Sequence, residues 1–87
     1  MALYKIRWRR GAVKAVKKID RKFIPKILKA IEDLAENPMP VNHKKMVGTF
    51  HSYRIRVGEY RVVYEVIDDE LIIEVVRLGH RKDVYRK

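Results

Sequence analysis

Three arginines lie close together in the second half of the chain, where their spacing could place them on one surface. Arg54 and Arg56 are two positions apart in an alternating segment, and Arg61 lies in the next such segment. Residues two apart on a strand point to the same face. A guanidinium donates two parallel hydrogen bonds to a phosphate, and neighbouring like charges are destabilising without an anion between them. The pattern predicts a phosphate-binding surface; the alternative is that the arginines only solvate the outer side of a sheet.

A second group of chemically capable side chains follows the last predicted strand. It consists of His80, Arg81 and Tyr85. A histidine can exchange protons near neutral pH, and a tyrosine can stack on an unpaired base. We expect this short tail to fold over the arginine-bearing face; the alternative is a disordered basic terminus.

Other common chemistries lack the residues they need. The chain has no cysteine, which excludes a disulfide framework and a thiolate site. The histidines lack the spacing of metal ligands. The carboxylates that a two-metal nuclease requires are scattered among basic residues, at Glu59, Glu65 and Glu74. A Ser–His–Asp set, a P-loop and a dinucleotide-binding glycine motif are all missing. We therefore expect no metal site.

The overall charge indicates an anionic partner. The 87 residues include 21 Lys and Arg against 11 Asp and Glu, a formal net charge of +10. On a body of this size such a field attracts polyanions. Nucleic acid, an anionic membrane and an acidic protein are the candidates; the alternative is a soluble protein that is merely basic.

The first half of the chain predicts one strand and two helices. Apolar and basic residues alternate over Leu3–Arg9, which predicts a strand, and helical spacing from Arg10 predicts a helix that ends near Asp20. Asp20 is also a candidate N-cap for the second helix, and Asn37-Pro38 is its stop signal. The apolar stripe of that second helix consists of Ile24, Ile27, Leu28, Ile31, Leu34 and Ala35.

The second half predicts a loop and three strands. Residues 37–49 form the loop, and the strands are Phe50–Val57, Tyr60–Ile67 and Leu71–Leu78. Their short connections require antiparallel pairing. The order βααβββ predicts an α+β fold over residues 1–87 as a single domain, in which a two-helix hairpin packs on one face of a small, mainly antiparallel four-stranded sheet.

Two sequence motifs resemble those of the RelE/ParE toxin superfamily. One is YRIRVGEYRVVYEV over residues 53–66, and the other is VRLGHRKDVY over residues 76–85. The resemblance spans the whole chain, and the motifs are similar to those of the RelE branch.

The resemblance implies the toxin of a type II toxin–antitoxin system that cleaves mRNA in the ribosomal A site and inhibits translation. In that reaction the ribose 2′-hydroxyl attacks the adjacent phosphodiester without a metal or other cofactor. It leaves a 2′,3′-cyclic phosphate and a 5′-hydroxyl. The implied partners are the ribosome with its mRNA and a cognate antitoxin that has an acidic or amphipathic binding segment. The N-terminus lacks the apolar core of a signal peptide, so we expect a soluble, cytoplasmic protein without a membrane partner.

The resemblance also implies roles for individual residues. Arg61 matches the arginine that grips the scissile phosphate, and Arg81 matches one that protonates or stabilises the leaving 5′-oxygen. Tyr85 matches the tyrosine that stacks on a nucleotide. Arg54 and Arg56 occupy positions that are lysines in the best-known RelE enzyme.

The two arginines at lysine positions affect the proton transfer. Arginine keeps its charge at any working pH, so Arg56 is a poor general base. Either deprotonation of the 2′-hydroxyl is mainly electrostatic or another group accepts the proton, with His80 as the first alternative and Glu65 as the second.

Two other functions remain open from the sequence. One is a ParE-like inhibitor that binds DNA gyrase and cleaves no RNA. The other is a catalytically inactive module that binds nucleic acid or the ribosome.

Overall fold

A computed structural model describes residues 3–46 and 51–80, and its central feature is a mixed five-stranded sheet. The spatial order of the strands is β1-β5-β4-β3-β2. Strand β1 runs parallel to β5, and the other neighbours are antiparallel. The strands span Lys5–Trp8 (β1), Lys44–Lys45 (β2), Ser52–Val57 (β3), Tyr60–Ile67 (β4) and Ile72–His80 (β5).

The predicted α+β class is confirmed, but the sheet has five strands where the sequence predicts four. The additional strand, β2, lies inside the predicted loop 37–49. Lys44 lies opposite Arg54, and the amide of Met46 donates to the carbonyl of Ser52 at 2.8 Å. A strand of two residues is too short to show an alternating pattern, because its conformation is imposed by pairing with β3.

Two helices cover one face of this sheet, and the first is shorter than predicted. Helix α1 spans Arg10–Val16 and helix α2 spans Ile24–Leu34. The residues after α1 form tighter i→i−3 hydrogen bonds, such as the one from the amide of Ile19 to the carbonyl of Val16 at 3.1 Å. The carboxylate of Asp20 accepts a hydrogen bond from the backbone amide of Lys22 at 3.2 Å. This bond caps a short 3₁₀ turn that leads into α2.

The core lies between the helices and the sheet. Helix α2 buries part of the apolar stripe that its sequence predicts: Ile27, Ile31 and Leu34 are each 1% exposed, whereas Leu28 is 37% exposed. Helix α1 packs on β5 and buries Ala12. The sheet contributes alternate residues of its three long strands to the same core, among them Ile55, Val62, Tyr64, Val66, Ile73, Val75 and Leu78.

Strand β5 is longer than predicted and contains an irregularity. It runs to His80 and therefore includes two residues that the sequence analysis places in the tail. Val63 pairs with Arg77 and Tyr64 pairs with Val75, so Val76 is an extra residue on β5. Such a bulge reverses the face on which the following residues point.

The helices of the described residues are short. Neither is long and apolar enough to cross a membrane.

Candidate nucleic-acid interface

The sheet face opposite the helices brings the three predicted arginines together. Arg56 lies directly opposite Arg61 across the β3–β4 pair, and Arg54 lies opposite Val63. Val63 is only 7% exposed although it lies on this uncovered face, where its partners on the two neighbouring strands are Arg54 and Arg77. We call this surface the arginine face.

A concavity of about 260 Å³ opens on the arginine face. Arg61 lies half buried at this site, and its Nε atom is fully buried. The size and cationic lining suit a phosphate group, because each guanidinium can donate two parallel hydrogen bonds to it. The lining residues are Asn42, Lys44, Arg54, Ile55, Arg56 and Arg61.

Hydrogen bonds hold Arg56 in place before any ligand binds. The side-chain amide of Asn42 donates to the carbonyl of Arg56 at 3.2 Å. The Nε of Arg56 donates to the carbonyl of Gly58 at 3.0 Å, and its terminal nitrogen lies 4.0 Å from the carboxylate of Glu59. Gly58 takes a left-handed conformation (φ 61°) in the tight turn between β3 and β4. These contacts reduce the ordering that Arg56 would undergo on binding an anion.

The segment that supplies Asn42 and Lys44 is anchored by the core. The buried hydroxyl of Tyr64 donates to the carbonyl of Pro38 at 2.6 Å, and burial raises the pKa of Tyr64, so this hydroxyl stays protonated. The ring of His43 packs edge-on against Tyr53, with ring centroids 5.8 Å apart. A loop held at both ends in this way places its polar side chains beside the arginines.

The other end of the same sheet face carries balanced charge. Glu74 accepts hydrogen bonds from Arg7 at 2.7 Å and from Arg9 at 2.6 Å, and these bonds lower the pKa of Glu74. Arg9 also lies 3.5 Å from Glu65. The carboxylates of this face therefore neutralise cations near β1, which leaves the concavity at the opposite side predominantly cationic.

The two alternative proton acceptors lie away from the concavity. Glu65 is four residues from Arg61 on the same strand, a separation of about 13 Å. His80 pairs with Tyr60 across β4 and β5, and its ring lies edge-on to the Tyr60 ring at 5.8 Å on the helix-covered side. The expectation that His80 joins the arginine cluster is therefore wrong, because β5 continues through residue 80 and directs its side chain to the other face.

The remaining two predicted site residues lie outside the described part of the chain. These are Arg81 and Tyr85.

Three polar residues of the arginine face are missing from the sequence prediction. Asn42 and Lys44 belong to the segment read as a loop, where the basic pair Lys44-Lys45 is the only local signal. Arg77 pairs with Val63 on the arginine face. Simple alternation from Ile73 and Val75 would place Arg77 in the core, and only the bulge at Val76 turns it outward.

Metal ligands do not gather in the described residues. Over residues 3–46 and 51–80, no group of three or more His, Asp or Glu side chains could hold a metal ion.

The sequence matches a known toxin family. Residues 6–85 match the model of the ParE toxin of the type II toxin–antitoxin system parDE. A putative RelE-like toxin protein of Escherichia coli is 32% identical over 85 residues, which cover 94% of this chain and 90% of that protein. The putative toxin RelE1 of Methanocaldococcus jannaschii is 31% identical over 77 residues, 85% of this chain and 86% of that protein.

The fold matches solved toxin structures. The toxin–antitoxin RelE–RelB complex of Pyrococcus horikoshii contains a chain that superposes with a TM-score of 0.80 at 27% identity and covers 91% of this chain and 96% of that one. A chain of the intact Escherichia coli RelBE toxin–antitoxin complex superposes with a TM-score of 0.78 at 26% identity. The match covers 88% of this chain and 95% of that one. Sequence and fold agree, and the chain belongs to the RelE/ParE toxin superfamily of type II toxin–antitoxin systems, as a RelE-like toxin.

Proposed function

We propose that this toxin is a ribosome-dependent endoribonuclease that cleaves mRNA at the arginine face. The observation that carries the proposal is the concavity lined by Lys44, Arg54, Arg56 and Arg61. Four cations around a space of about 260 Å³ form a site for the phosphodiester of a single RNA strand. The resemblance to RelE toxins supplies the ribosomal A site as the place of action and therefore a cytoplasmic location.

The reaction uses a nucleophile that the RNA itself provides. The ribose O2′ attacks the adjacent phosphorus, the bond from phosphorus to O5′ breaks, and a 2′,3′-cyclic phosphate forms. The proton of the 2′-hydroxyl leaves as the bond forms, and O5′ gains a proton as it departs. Extra negative charge develops on the phosphorane, and fixed cations stabilise that charge without reorganising.

The position of each arginine supports a specific role. Arg61, half buried on the central strand β4, grips the scissile phosphate. Arg54 and Arg56 flank it from β3 and neutralise the phosphorane charge. The resemblance assigns protonation or stabilisation of O5′ to Arg81 and stacking on a nucleotide to Tyr85.

Loss of the 2′-hydroxyl proton is promoted electrostatically in this proposal. Arg54 and Arg56 stay protonated and cannot accept it. His80 and Glu65 lie away from the concavity. The surrounding positive charge favours the 2′-oxyanion, and solvent takes the proton.

We also propose a cognate antitoxin that covers an apolar groove on the helix hairpin. The groove has a volume of about 420 Å³. Val13 is 44% exposed and Leu28 is 37% exposed, so two large apolar side chains of the hairpin lie open to solvent at this groove. The Pyrococcus horikoshii and Escherichia coli relatives were solved as complexes with RelB. An amphipathic helix suits such a groove. Its lining residues are Trp8, Val13, Val16, Lys17 and Leu28.

The test is primer extension on mRNA in programmed ribosomes. Wild-type protein is compared with Arg61→Ala, Arg54→Ala and the control Arg21→Ala, which removes an exposed cation from the helix hairpin. We expect cleavage inside the A-site codon that requires ribosomes. The two arginine-face variants should lose about 10²–10³-fold in rate, as removal of a transition-state donor does. Arg21→Ala should stay within about twofold of the wild type.

Two results would reject the proposal. Equal loss of activity in all variants would show that only net charge matters. Absence of cleavage together with inhibition of DNA gyrase would identify the ParE-like activity instead.

A further inference from the structure

A second groove lies on the helix-covered side of the sheet, where α1 meets the ends of β4 and β5. Its volume is about 640 Å³, which falls in the range of sites that hold a nucleotide-sized ligand. The groove is separate from both the arginine concavity and the apolar groove of the helix hairpin. Its lining includes Gly11, Lys14, Lys18, Tyr60, Gly79 and His80.

Aromatic rings form one wall of this groove. Tyr60 lies edge-on to His80, with ring centroids 5.8 Å apart, and also contacts the ring of Phe23, with centroids 5.5 Å apart. The packing holds Tyr60 in a fixed orientation, and both Tyr60 and His80 are half exposed at the groove. Half-exposed rings of this kind are stacking surfaces for unpaired bases.

Two lysines form the opposite side. Lys14 lies in α1 and Lys18 lies in the turn that follows it, and both line the groove. Both are exposed, and within residues 3–46 and 51–80 neither forms an ion pair. A stacking wall and a pair of ammonium groups together match the two parts of a nucleotide, its base and its phosphate.

The groove lies at the same end of β4 and β5 as Arg61 of the arginine face. Gly79 lines the groove, and across the sheet it lies directly opposite Arg61. Tyr60 also lines the groove and directly precedes Arg61 on β4, so the groove and the arginine concavity lie at the same position along the strands, on opposite faces of the sheet.

We propose that this groove is a second RNA subsite, which binds a nucleotide next to the segment held at the arginine face. The base stacks on Tyr60 and His80, and the phosphate lies between Lys14 and Lys18. The subsite rests on the proposed function, because it requires that the substrate be RNA. It lengthens the RNA track beyond the cleaved codon and raises affinity without taking part in the chemistry.

The experiment measures binding of non-cleavable RNA of two lengths. The probes are fluorescein-labelled 2′-O-methyl oligoribonucleotides, a trinucleotide that fills the arginine face and an oligomer of about seven nucleotides that also reaches the groove. Dissociation constants are measured by fluorescence anisotropy over a range of salt concentrations. The test variant is Lys14→Gln/Lys18→Gln, and the matched control is Arg21→Gln/Lys26→Gln, which removes the same charge from exposed positions of the helix hairpin.

We expect the test variant to bind the longer oligomer about tenfold more weakly, because both lysine contacts to the phosphate are lost. The slope of the logarithm of the association constant against the logarithm of the salt concentration should decrease in magnitude by about 1. Its affinity for the trinucleotide and the affinities of the control variant should change less than about twofold. Equal weakening of both oligomers, or equal weakening by test and control variants, would overturn the subsite.

A steric variant tests the same groove without a change of charge. A Cβ atom built on Gly11 meets nothing within 4 Å, so Gly11→Gln is tolerated by the fold and projects into the groove. It should weaken the longer oligomer alone, and Gly11→Ala should leave both unchanged. If Gly11→Gln binds both oligomers like the wild type, the groove holds no nucleotide.

Failure of the subsite and failure of the proposed function give different results. Arg61→Ala should weaken both the trinucleotide and the longer oligomer, because Arg61 lies in the concavity that both occupy. If the affinity for the trinucleotide depends on Arg61 but the longer oligomer binds no more tightly than the trinucleotide, only the second subsite is rejected. If Arg61→Ala binds both oligomers with the affinity of the wild type, the proposed RNA site itself is rejected.

Discussion

At the scale of single residues, the arginine face owes its character to which cations have carboxylate neighbours. Arg7 and Arg9 share Glu74 through bonds of 2.6–2.7 Å, so their charge is balanced within the fold. At the concavity, Arg56 donates to the carbonyl of Gly58 at 3.0 Å and lies 4.0 Å from the carboxylate of Glu59, a longer contact than those of Glu74. Two groups of basic residues on one sheet face therefore have different tasks, one structural and one suited to an external anion.

Substitution of Lys44 tests whether the short strand β2 belongs to the proposed RNA site. Lys44→Ala should lower the cleavage rate in programmed ribosomes about tenfold, because one cation leaves the concavity. Lys45→Ala is the matched control: Lys45 pairs with Tyr53, and strand alternation turns it to the other side of the sheet. We expect Lys45→Ala to stay within about twofold of the wild type. Equal losses in the two variants would remove Lys44 from the site.

Glu74 should control stability in acid. Its pKa is lowered in the folded chain by the hydrogen bonds from Arg7 and Arg9. The stabilisation is therefore complete above the unfolded-state pKa of glutamate, about 4.3, and is lost as the pH falls through the lower folded value. Glu74→Gln should reduce the free energy of unfolding at pH 7 by about 1–2 kcal/mol.

Urea denaturation from pH 7 down to about pH 3 measures this effect. Below about pH 5 the curve of Glu74→Gln should be flatter than that of the wild type. The control Glu36→Gln changes an exposed glutamate and should shift the free energy of unfolding by less than about 0.5 kcal/mol. Parallel pH curves for Glu74→Gln and the wild type would contradict the assignment.

At the scale of elements, the site depends on how the segment after α2 is attached to the sheet. Tyr64 on the central strand β4 reaches that segment through its hydroxyl, which donates to Pro38 at 2.6 Å. Strand β2 then pairs with β3 only at Lys44 and Lys45. So short a strand has little stability of its own, and its position follows from these few anchors.

Tyr64→Phe removes the hydroxyl anchor and keeps the ring. The carbonyl of Pro38 loses its donor, so the free energy of unfolding should fall by about 1 kcal/mol. Cleavage should also fall, because Asn42 and Lys44 lose part of their positioning. Tyr4→Phe is the control, since the hydroxyl of Tyr4 donates to Asp68 at an exposed site. The cleavage rate of Tyr4→Phe should match that of the wild type. If Tyr64→Phe loses stability but cleaves at the wild-type rate, the position of the loop does not affect the site.

At the scale of the whole molecule, binding surfaces of different chemistry occupy different sides of a small body. The arginine face lies on the side of the sheet opposite the helices, and the apolar groove is formed by α1, α2 and β1. The electrostatic field of the net charge of +10 extends over both the arginine face and the apolar groove. Such a field speeds encounter with an RNA or with an acidic antitoxin, while the local contacts determine which surface each partner occupies.

Val13→Asp should separate antitoxin binding from RNA cleavage. Val13 is 44% exposed, so the fold tolerates a carboxylate there, but an apolar helix seated in the groove would have to bury it. Calorimetry with the cognate antitoxin should show binding weakened about 100-fold, the effect of losing a central contact. Cleavage should remain within about twofold of the wild type. Lys26→Gln, with the same change of charge, is the control, and equal weakening in both would show that charge alone drives the binding.

Much of this architecture was predictable from local sequence patterns. Alternation over residues 53–66 placed Arg54, Arg56 and Arg61 on one face, and the strand Tyr60–Ile67 has the predicted bounds. Helical spacing predicted α2 and its buried residues Ile27, Ile31 and Leu34, although Leu28 of the same predicted stripe is exposed. These patterns succeed because each reports which side of a single element meets the core, and that information lies within a few consecutive residues.

By itself the sequence determined the α+β class, the toxin family and the cluster of three arginines. Only the tertiary structure decided the remaining geometry: that Lys44 joins the sheet, that Arg77 faces outward and that His80 lies on the helix side. Each of these depends on pairing with a distant strand. The bulge at Val76 arises from the fit of β5 to β4, and one extra residue there reverses every side chain after it.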